Sequence, residues 1–445
     1  MSWLWRPRRG RPGADPVRPP RFGERVDDRG KAKYFHGRDE ELETIESLCY
    51  TAMHNGGGAI VVIQGPPGAG KTALLHECAR HAQAWGWRVV RIRHDAFWDR
   101  ESLHNAFRRP RWHTHVDEGG MTVLGGWGFF GRARKLSAPD LLRYQVMKSR
   151  KCVLLWLDEA QSLVGGELSG AERTSAVKML DDIHNGGLGK PVVLIAGGLA
   201  HTAEGLERFE ISKLRIDDII ELSGLDAESE KSIIRDWLEK ESGAIGDVAH
   251  WVDTIAQDTD GWPQHISAYV QRASWQLVED KGTLTDAGLA KVLEKGRADK
   301  TRFYNRRLRG IGKHERQLLG LVIACCGLNA RWTRIQIEAT FPALKDSLQY
   351  PADDSVSRLI RRGVLEASDE GEYRIPIPSM ERFLVGYAWD LEQTNGGWVQ
   401  ELTASIMAAL SRTNHYLTPE RKALVLSGNI RELLTQLAAG PSVGG

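Results

Sequence analysis

Short apolar runs separated by longer stretches of helical period set the plan of the first half of the chain. Ala59 to Gln64, Cys152 to Leu157 and Val192 to Ala196 are nearly unbroken apolar runs of strand length. That pattern belongs to strands buried on both faces. Trp87 to Arg93 alternates apolar and basic positions and predicts a further strand, and Asp218 to Leu222 predicts a fifth. Between them, Arg38 to Met53 places Leu42, Ile45, Leu48 and Cys49 at helical spacing. Leu74, Leu75 and Cys78 do the same, and Ser169 to Ile183 reads as another helix. Strands alternating with helices predict a parallel α/β sheet.

After Asp226 the strand signals stop. Ser229 to Lys240, Val248 to Ile255, Pro263 to Val278 and Ala287 to Leu293 all carry a helical period and predict an all-helical subdomain. A basic stretch follows, with Lys300, Arg302, Arg306, Arg307, Arg309, Lys313 and Arg316, and reads as a linker. Beyond it, helices are predicted at Glu315 to Cys325, Thr333 to Ala339 and Ser355 to Arg362, then two short strands around Gly371. The last segment is predicted helical, with a flexible Gly-Pro-Ser-Val-Gly-Gly end.

His104 to Lys135 stands apart between the second and third strands. It interleaves Arg108, Arg109, Arg111, Arg132 and Arg134 with Trp112, Trp127, Phe129 and Phe130. A β-hairpin insertion is predicted, which either packs its aromatics on the sheet or grips nucleic acid by stacking and charge. His113 and His115 lack a third metal ligand nearby.

Composition changes this picture in two places. The chain has 445 residues, and at about 150 residues per domain that bounds the count near three. Its 60 basic and 58 acidic residues give +2, which argues against a generally basic coat protein. The charge is uneven, however. Residues 1–33 hold ten Lys/Arg, four Asp/Glu and five prolines, so a +6 arm precedes a −4 body. Such a segment is expected to be disordered. The five cysteines are Cys49, Cys78, Cys152, Cys325 and Cys326, an odd and scattered set. They read as reduced thiols of a cytoplasmic protein. No apolar run reaches the length of a membrane span, and no membrane partner is expected.

The candidate chemistry begins at the first strand. Gly65-Pro-Pro-Gly-Ala-Gly-Lys-Thr72 matches G-x-x-x-x-G-K-[ST], the phosphate loop or Walker A motif. Glycines let the backbone curl so that successive N–H groups converge on phosphate oxygens. Pro66 and Pro67 have no N–H, so the donors are expected at Gly68, Ala69, Gly70, Lys71 and Thr72, with Ala73 in the first helical turn. Lys71 is expected on the β- and γ-phosphates and the Thr72 hydroxyl on Mg²⁺. The third strand ends in Asp158-Glu159, a Walker B pattern. Asp158 is expected to complete the Mg²⁺ site, directly or through water. Glu159 is placed to polarise a water for attack on the γ-phosphate. ATP and Mg²⁺ are the cofactors this implies.

Together these residues resemble the AAA+ class of P-loop ATPases, in particular the initiator-like branch of origin-recognition ATPases and the neighbouring STAND ATPases. Phe35-His-Gly-Arg-Asp-Glu-Glu-Leu42 is similar to the family box that helps hold adenine. Asp158-Glu159-Ala-Gln161 is similar to its second motif. Thr259-Asp-Gly-Trp-Pro-Gln-His265 is similar to the G-x-P segment that closes a helical lid over the nucleotide, which adds Pro263 to the expected site. Two departures stand out. Gln264 and His265 occupy the place of the usual lid arginine, and the fourth strand lacks a polar tip, where His201 or Thr202 could substitute. Arg208 and Arg215 are arginine-finger candidates for a neighbouring subunit in an ATP-dependent homo-oligomer.

Residues 313–388 resemble a winged helix, with Ser355 to Leu365 as its third helix. At 100° per residue, Val356, Leu359 and Ile360 share one face, opposite Arg358, Arg361 and Arg362. Those three arginines are the expected DNA contact, although Glu366, Asp369, Glu370 and Glu372 beside them would repel phosphate.

The expected fold is thus an AAA+-type P-loop NTPase, a parallel α/β sheet with a helical lid subdomain and a C-terminal winged-helix domain. Its expected parts are an arm at 1–33, the ATPase domain at 34–224, the lid at 225–298, the winged helix at 299–390 and a helical tail at 391–445. The expected function is an Mg-dependent ATPase switch that engages DNA in an ATP-dependent manner. The alternative is a STAND-type signalling or defence ATPase whose winged helix binds a protein partner or autoinhibits.

Overall fold

In a computed structural model of the chain, the described residues are 27–28, 31–108, 136–164, 168–207, 216–241, 244–328, 331–333, 352–367, 372–388, and positions 390, 432 and 434. The chain divides into two compact units. One holds residues 37–225, 262–264 and 301–445, and the other holds residues 1–36, 226–261 and 265–300.

The larger unit is built on five parallel strands: β1 (Gly58–Gln64), β2 (Arg88–Ile92), β3 (Val153–Leu157), β4 (Val192–Gly198) and β5 (Asp218–Glu221). Their order in the sheet is β2-β3-β4-β1-β5. The unbroken apolar runs are the three inner strands. Helices cover the sheet, so β3 and β4 are buried along their whole length. Leu157 pairs with Ala196, and Gln64 pairs with both Gly198 and Glu221. This register brings the carboxyl ends of β1, β3 and β4 side by side. Ligands of open α/β sheets bind at such strand ends.

The helices around the sheet are α1 (Asp39–Asn55), α2 (Lys71–Ala84), α3 (Arg100–Phe107), α4 (Ala138–Lys148) and α5 (Gly170–His184). Ser169 caps α5 with a reciprocal capping box to Glu172. Ala176, Met179, Leu180 and Ile183 on α5 join Leu155, Leu157 and Leu194 in one apolar core. The predicted insertion starts late. His104 to Phe107 belong to α3, because Asp99 caps that helix and Leu103 and Phe107 bury its apolar face. Residues 109–135, including His113 and His115, lie outside the described residues.

The smaller unit contains α6 (Ala227–Asp236) and α7 (Val248–Thr259). It also holds most of α8 (Pro263–Glu279) and of α9 (Asp286–Arg307). Trp251, Ile255, Ile234, Tyr269 and Val270 form its interior. A two-residue ladder pairs Asp27–Asp28 with Lys31–Ala32, so extended pairing begins before Tyr34.

One element differs in length from its sequence reading. The helix predicted over Ala287 to Leu293 runs 22 residues, to Arg307. The basic stretch expected as a linker is largely helix. Ion pairs carry it: Arg272 binds Asp299 through two hydrogen bonds of 2.6 and 3.0 Å, and Arg297 binds Asp258 at 2.7 Å.

In the larger unit, the chain continues through α10 (Lys313–Cys326), α11 (Ala352–Arg361) and a helix over 378–388. A small antiparallel sheet joins β6 (Trp332–Thr333), β8 (Glu372–Arg374) and β7 (Glu366–Ala367), in that order. Thr333, expected to open a helix, ends β6 instead, where it pairs with Glu372. The rest of that predicted helix and nearly all of 391–445 lie outside the described residues. Val356 and Leu359 of α11 are buried, as the apolar face requires.

Candidate active site

β1 delivers the chain at Gln64 into the glycine loop, whose three glycines all have positive φ: Gly65 at +156°, Gly68 at +89° and Gly70 at +97°. At Gly68 the need for glycine is double. A β-carbon there would stand 2.9 Å from both Trp262 Nε1 and Gln264 Cβ. No side chain caps α2, whose N-cap is Gly70. The first-turn N–H groups of Lys71, Thr72 and Ala73 therefore have no intrahelical partner and point out of the helix end. Leu74 N–H donates to Gly70 O at 3.0 Å, and Ala69 N–H donates to Pro66 O at 3.3 Å. Lys71 Nζ donates to the carbonyls of Gly65 and Pro66, both at 2.8 Å. Burial draws its pKa down to about 8, against the pull of Glu159 and Asp158. Neutral carbonyls leave this ammonium uncompensated, and a phosphate would supply the missing charge.

Across the loop, Thr72 Oγ1 donates to Asp158 Oδ2 at 3.1 Å. A hydroxyl and a carboxylate at this spacing can share one hard cation, so the donor set fits Mg²⁺. Asp158 Oδ1 accepts the Glu159 N–H at 3.0 Å. Glu159 itself has φ of +58°, a left-handed conformation that costs a non-glycine residue about 1 kcal/mol. Gln161 braces that turn. Its Nε2 donates to Glu159 Oε2, and its Oε1 accepts the Leu199 N–H at 3.3 Å. Ala160 N–H also donates to Gly197 O at 2.7 Å. Glu159 stands exposed at this turn, and its charge reaches Lys71.

The residues singled out from sequence converge in part. Gln264 N–H donates to Gly68 O at 3.2 Å, and Pro263 Cγ stands 3.6 Å from a β-carbon position on Gly70. Trp262, Pro263 and Gln264 therefore rest on the phosphate loop. Thr202 is fully buried and packs on Gly198, so its hydroxyl points into the protein. His201 lines a cavity of about 330 Å³ with Pro66, Leu199, Arg361 and Glu366. Arg208 and Arg215 lie outside the described residues.

The arginine helix does not stand free. Arg358 donates to the Gly310 carbonyl, and Arg362 lies against the same glycine. Arg361 is exposed and lines the cavity beside Pro66. A β-carbon on Gly363 would stand 2.6 Å from Pro67 Cδ, so the end of α11 sits directly on the phosphate loop.

Sequence reasoning passed over three residues, two in this unit and one in the other. Arg91 on β2 stacks its guanidinium 4.8 Å from the Trp156 ring centroid and lies 3.7 Å from Asp158 Oδ2. Its signal is the basic position opposite Trp156 in the strand alternation. Arg307 was folded into a linker. In the smaller unit, Glu230 is 5% exposed, and its Oε1 accepts from Thr259 Oγ1 and from the Gly261 N–H at 2.9 Å. A carboxylate at the apolar phase of α6, four residues before Ile234, was its signal.

Residues 34–195 match a family model described as AAA ATPase domain. The whole chain is similar in fold to the ORC2 protein of Aeropyrum pernix, solved in ADPNP-ADP complexes. The two are 14% identical with a TM-score of 0.52, over 83% of this chain and 98% of that one. It is also similar to a Walker-type ATPase of Pyrococcus abyssi, at 12% identity and a TM-score of 0.53, over 80% and 97% of the two chains. At such identities the likeness is one of fold. No curated protein matches the chain in sequence.

Proposed function

We propose that the chain is an ATP-binding and ATP-hydrolysing switch of the AAA+ type, whose C-terminal winged helix engages DNA when ATP is bound. The observation that carries this reading is one conjunction at neighbouring strand ends. An uncapped helix N-terminus with Lys71 meets Thr72 and Asp158 at 3.1 Å, with Glu159 turned out beside them. The AAA ATPase domain match over 34–195 covers all of these residues and supports the same chemistry.

The N–H groups of the glycine loop and of Lys71, Thr72 and Ala73 hold the phosphates, and Lys71 neutralises the β- and γ-oxygens. Thr72 and Asp158 would hold Mg²⁺, which supplies charge neutralisation across those oxygens. Glu159 accepts the proton of the attacking water. Gln161 keeps its carboxylate oriented, and the left-handed turn fixes its direction. Arg91 sets a positive charge 3.7 Å from Asp158 Oδ2 beside the loop.

The DNA arm rests on Arg358, Arg361 and Arg362 on one face of α11. A second reading has its own observation. Arg358 is bound to Gly310, Arg362 lies against the same glycine, and Gly363 abuts Pro67, so part of the arginine face is occupied where the helix end rests on the phosphate loop. This favours a form in which the C-terminal unit autoinhibits or waits for a protein partner, and DNA binding would then need that face released. The two readings separate in a titration of a fluorescent duplex with ATP or ADP at rising salt. For the DNA switch, affinity is higher with ATP and falls steeply with salt, and alanine at all three arginines lowers the log–log salt slope by about 2–3. Binding that is absent or salt-insensitive in both nucleotides contradicts the DNA arm and leaves the second reading.

A further inference from the structure

We infer that the indole N–H of Trp262 donates to the phosphate chain of the nucleotide, alongside the backbone N–H groups of the glycine loop. The inference rests on the nucleotide reading above and adds a side chain that the phosphate-loop pattern does not include.

Trp262 is 1% exposed, and its Nε1 is buried with no hydrogen-bond acceptor among the described residues. An indole nitrogen can only donate, so nothing but an acceptor satisfies it. Buried tryptophans ordinarily find one, and a buried donor left unmet is destabilising. The position of this donor says where the acceptor comes from. A β-carbon on Gly68 would stand 2.9 Å from Nε1, which is the Trp262 atom nearest that point. The indole thus meets the phosphate loop with its polar edge. Residues 262–264 belong to the same compact unit as the loop. Their other contacts hold the ring in place. Gln264 N–H donates to Gly68 O at 3.2 Å, so the carbonyl of Gly68 already has a donor, and Pro263 Cγ stands 3.6 Å from a β-carbon position on Gly70.

The loop itself is short of donors next to this point. Pro66 and Pro67 carry no N–H. The Ala69 N–H is turned to Pro66 O at 3.3 Å. An indole N–H against Gly68 adds a donor beside the residues that lack one. The acceptor it needs must lie next to the glycine loop, where the backbone N–H groups gather phosphate oxygens and not a base or sugar. Phosphate oxygens are anionic, and hydrogen bonds to charged acceptors are the stronger kind.

The test measures displacement of a fluorescent ADP analogue from the full chain by ADP and by inorganic pyrophosphate. Trp262→Phe removes the N–H, whereas Trp262→His loses at least as much ring and keeps a ring N–H. The Phe variant should weaken both probes by the same factor, about 10- to 100-fold, as expected for one hydrogen bond to a charged group. The His variant should recover part of that loss. Thermal unfolding without nucleotide shows whether the variants are folded. If they are not, indole N–H signals of the ¹⁵N-labelled wild-type chain decide, and one should move downfield when pyrophosphate is added. A Phe variant that binds either probe as tightly as the wild type overturns the inference, as does a His variant no better than Phe. Indole signals that all stay in place overturn it too. A wild-type chain that binds neither ADP nor pyrophosphate overturns the nucleotide reading itself, a separate outcome.

Discussion

His265 is a single residue whose burial sets a pH limit. It lies in the smaller unit, 1% exposed, and burial drives its pKa down to about 3, with the Lys300 charge adding to the effect. The unfolded chain takes up a proton near 6.5, and the folded one does not. Stability is therefore full above about pH 6.5 and declines as pH falls toward 3, at up to about 1.4 kcal/mol per pH unit. Urea unfolding at pH 5 should show about 2 kcal/mol less stability from this group than at pH 7. His265→Gln should flatten that dependence, and an unchanged pH profile would refute the assignment. The phosphate-loop residues were legible one by one, because Gly68, Gly70, Lys71 and Thr72 each satisfy a local chemical need. Glu230 was not, since its partners Thr259 and Gly261 lie more than two dozen residues away and helical phase alone does not say what a buried charge faces.

At the scale of elements, β1, β3 and β4 were readable as strands because their apolar runs call for burial on both faces, whereas their order in the sheet was not. The long α9 was not readable as one helix. Its second half is mostly polar; the ion pairs Arg297–Asp258 and Arg272–Asp299 hold its middle and buried Phe303 and Tyr304 its end, and no local period displays them. The turn after α7 has a similar dependence. Thr259 and Gly261 are pinned by the buried Glu230 carboxylate, which fixes the turn leading to Trp262 and Pro263. Glu230→Ala would leave the Gly261 N–H and the Thr259 hydroxyl without their acceptor, at a cost of about 1–3 kcal/mol in denaturant unfolding. Glu230→Gln keeps an acceptor oxygen and should cost less. Equal losses in the two variants would mean that packing, not the hydrogen bonds, is the contribution.

At the scale of the molecule, the opening near-neutral charge concealed local segments with separate work. The basic stretch at Arg306 to Arg316 and the arginines of α11 meet around Gly310, beside the phosphate loop. Charge that looked like a DNA surface in the sequence is thus tied in part to the nucleotide site. Among the described residues, no helix is long and apolar enough to cross a membrane. Lys71, Asp158 and Glu159 are proposed to form a working ATPase site. The most direct measurement is ATP turnover together with nucleotide occupancy in the wild-type chain, Lys71→Ala and Glu159→Gln. The expected result is turnover in the wild type, loss of both binding and turnover in Lys71→Ala, and ATP retained but uncleaved in Glu159→Gln, with turnover lowered at least about 100-fold. Turnover that survives in either variant would contradict it.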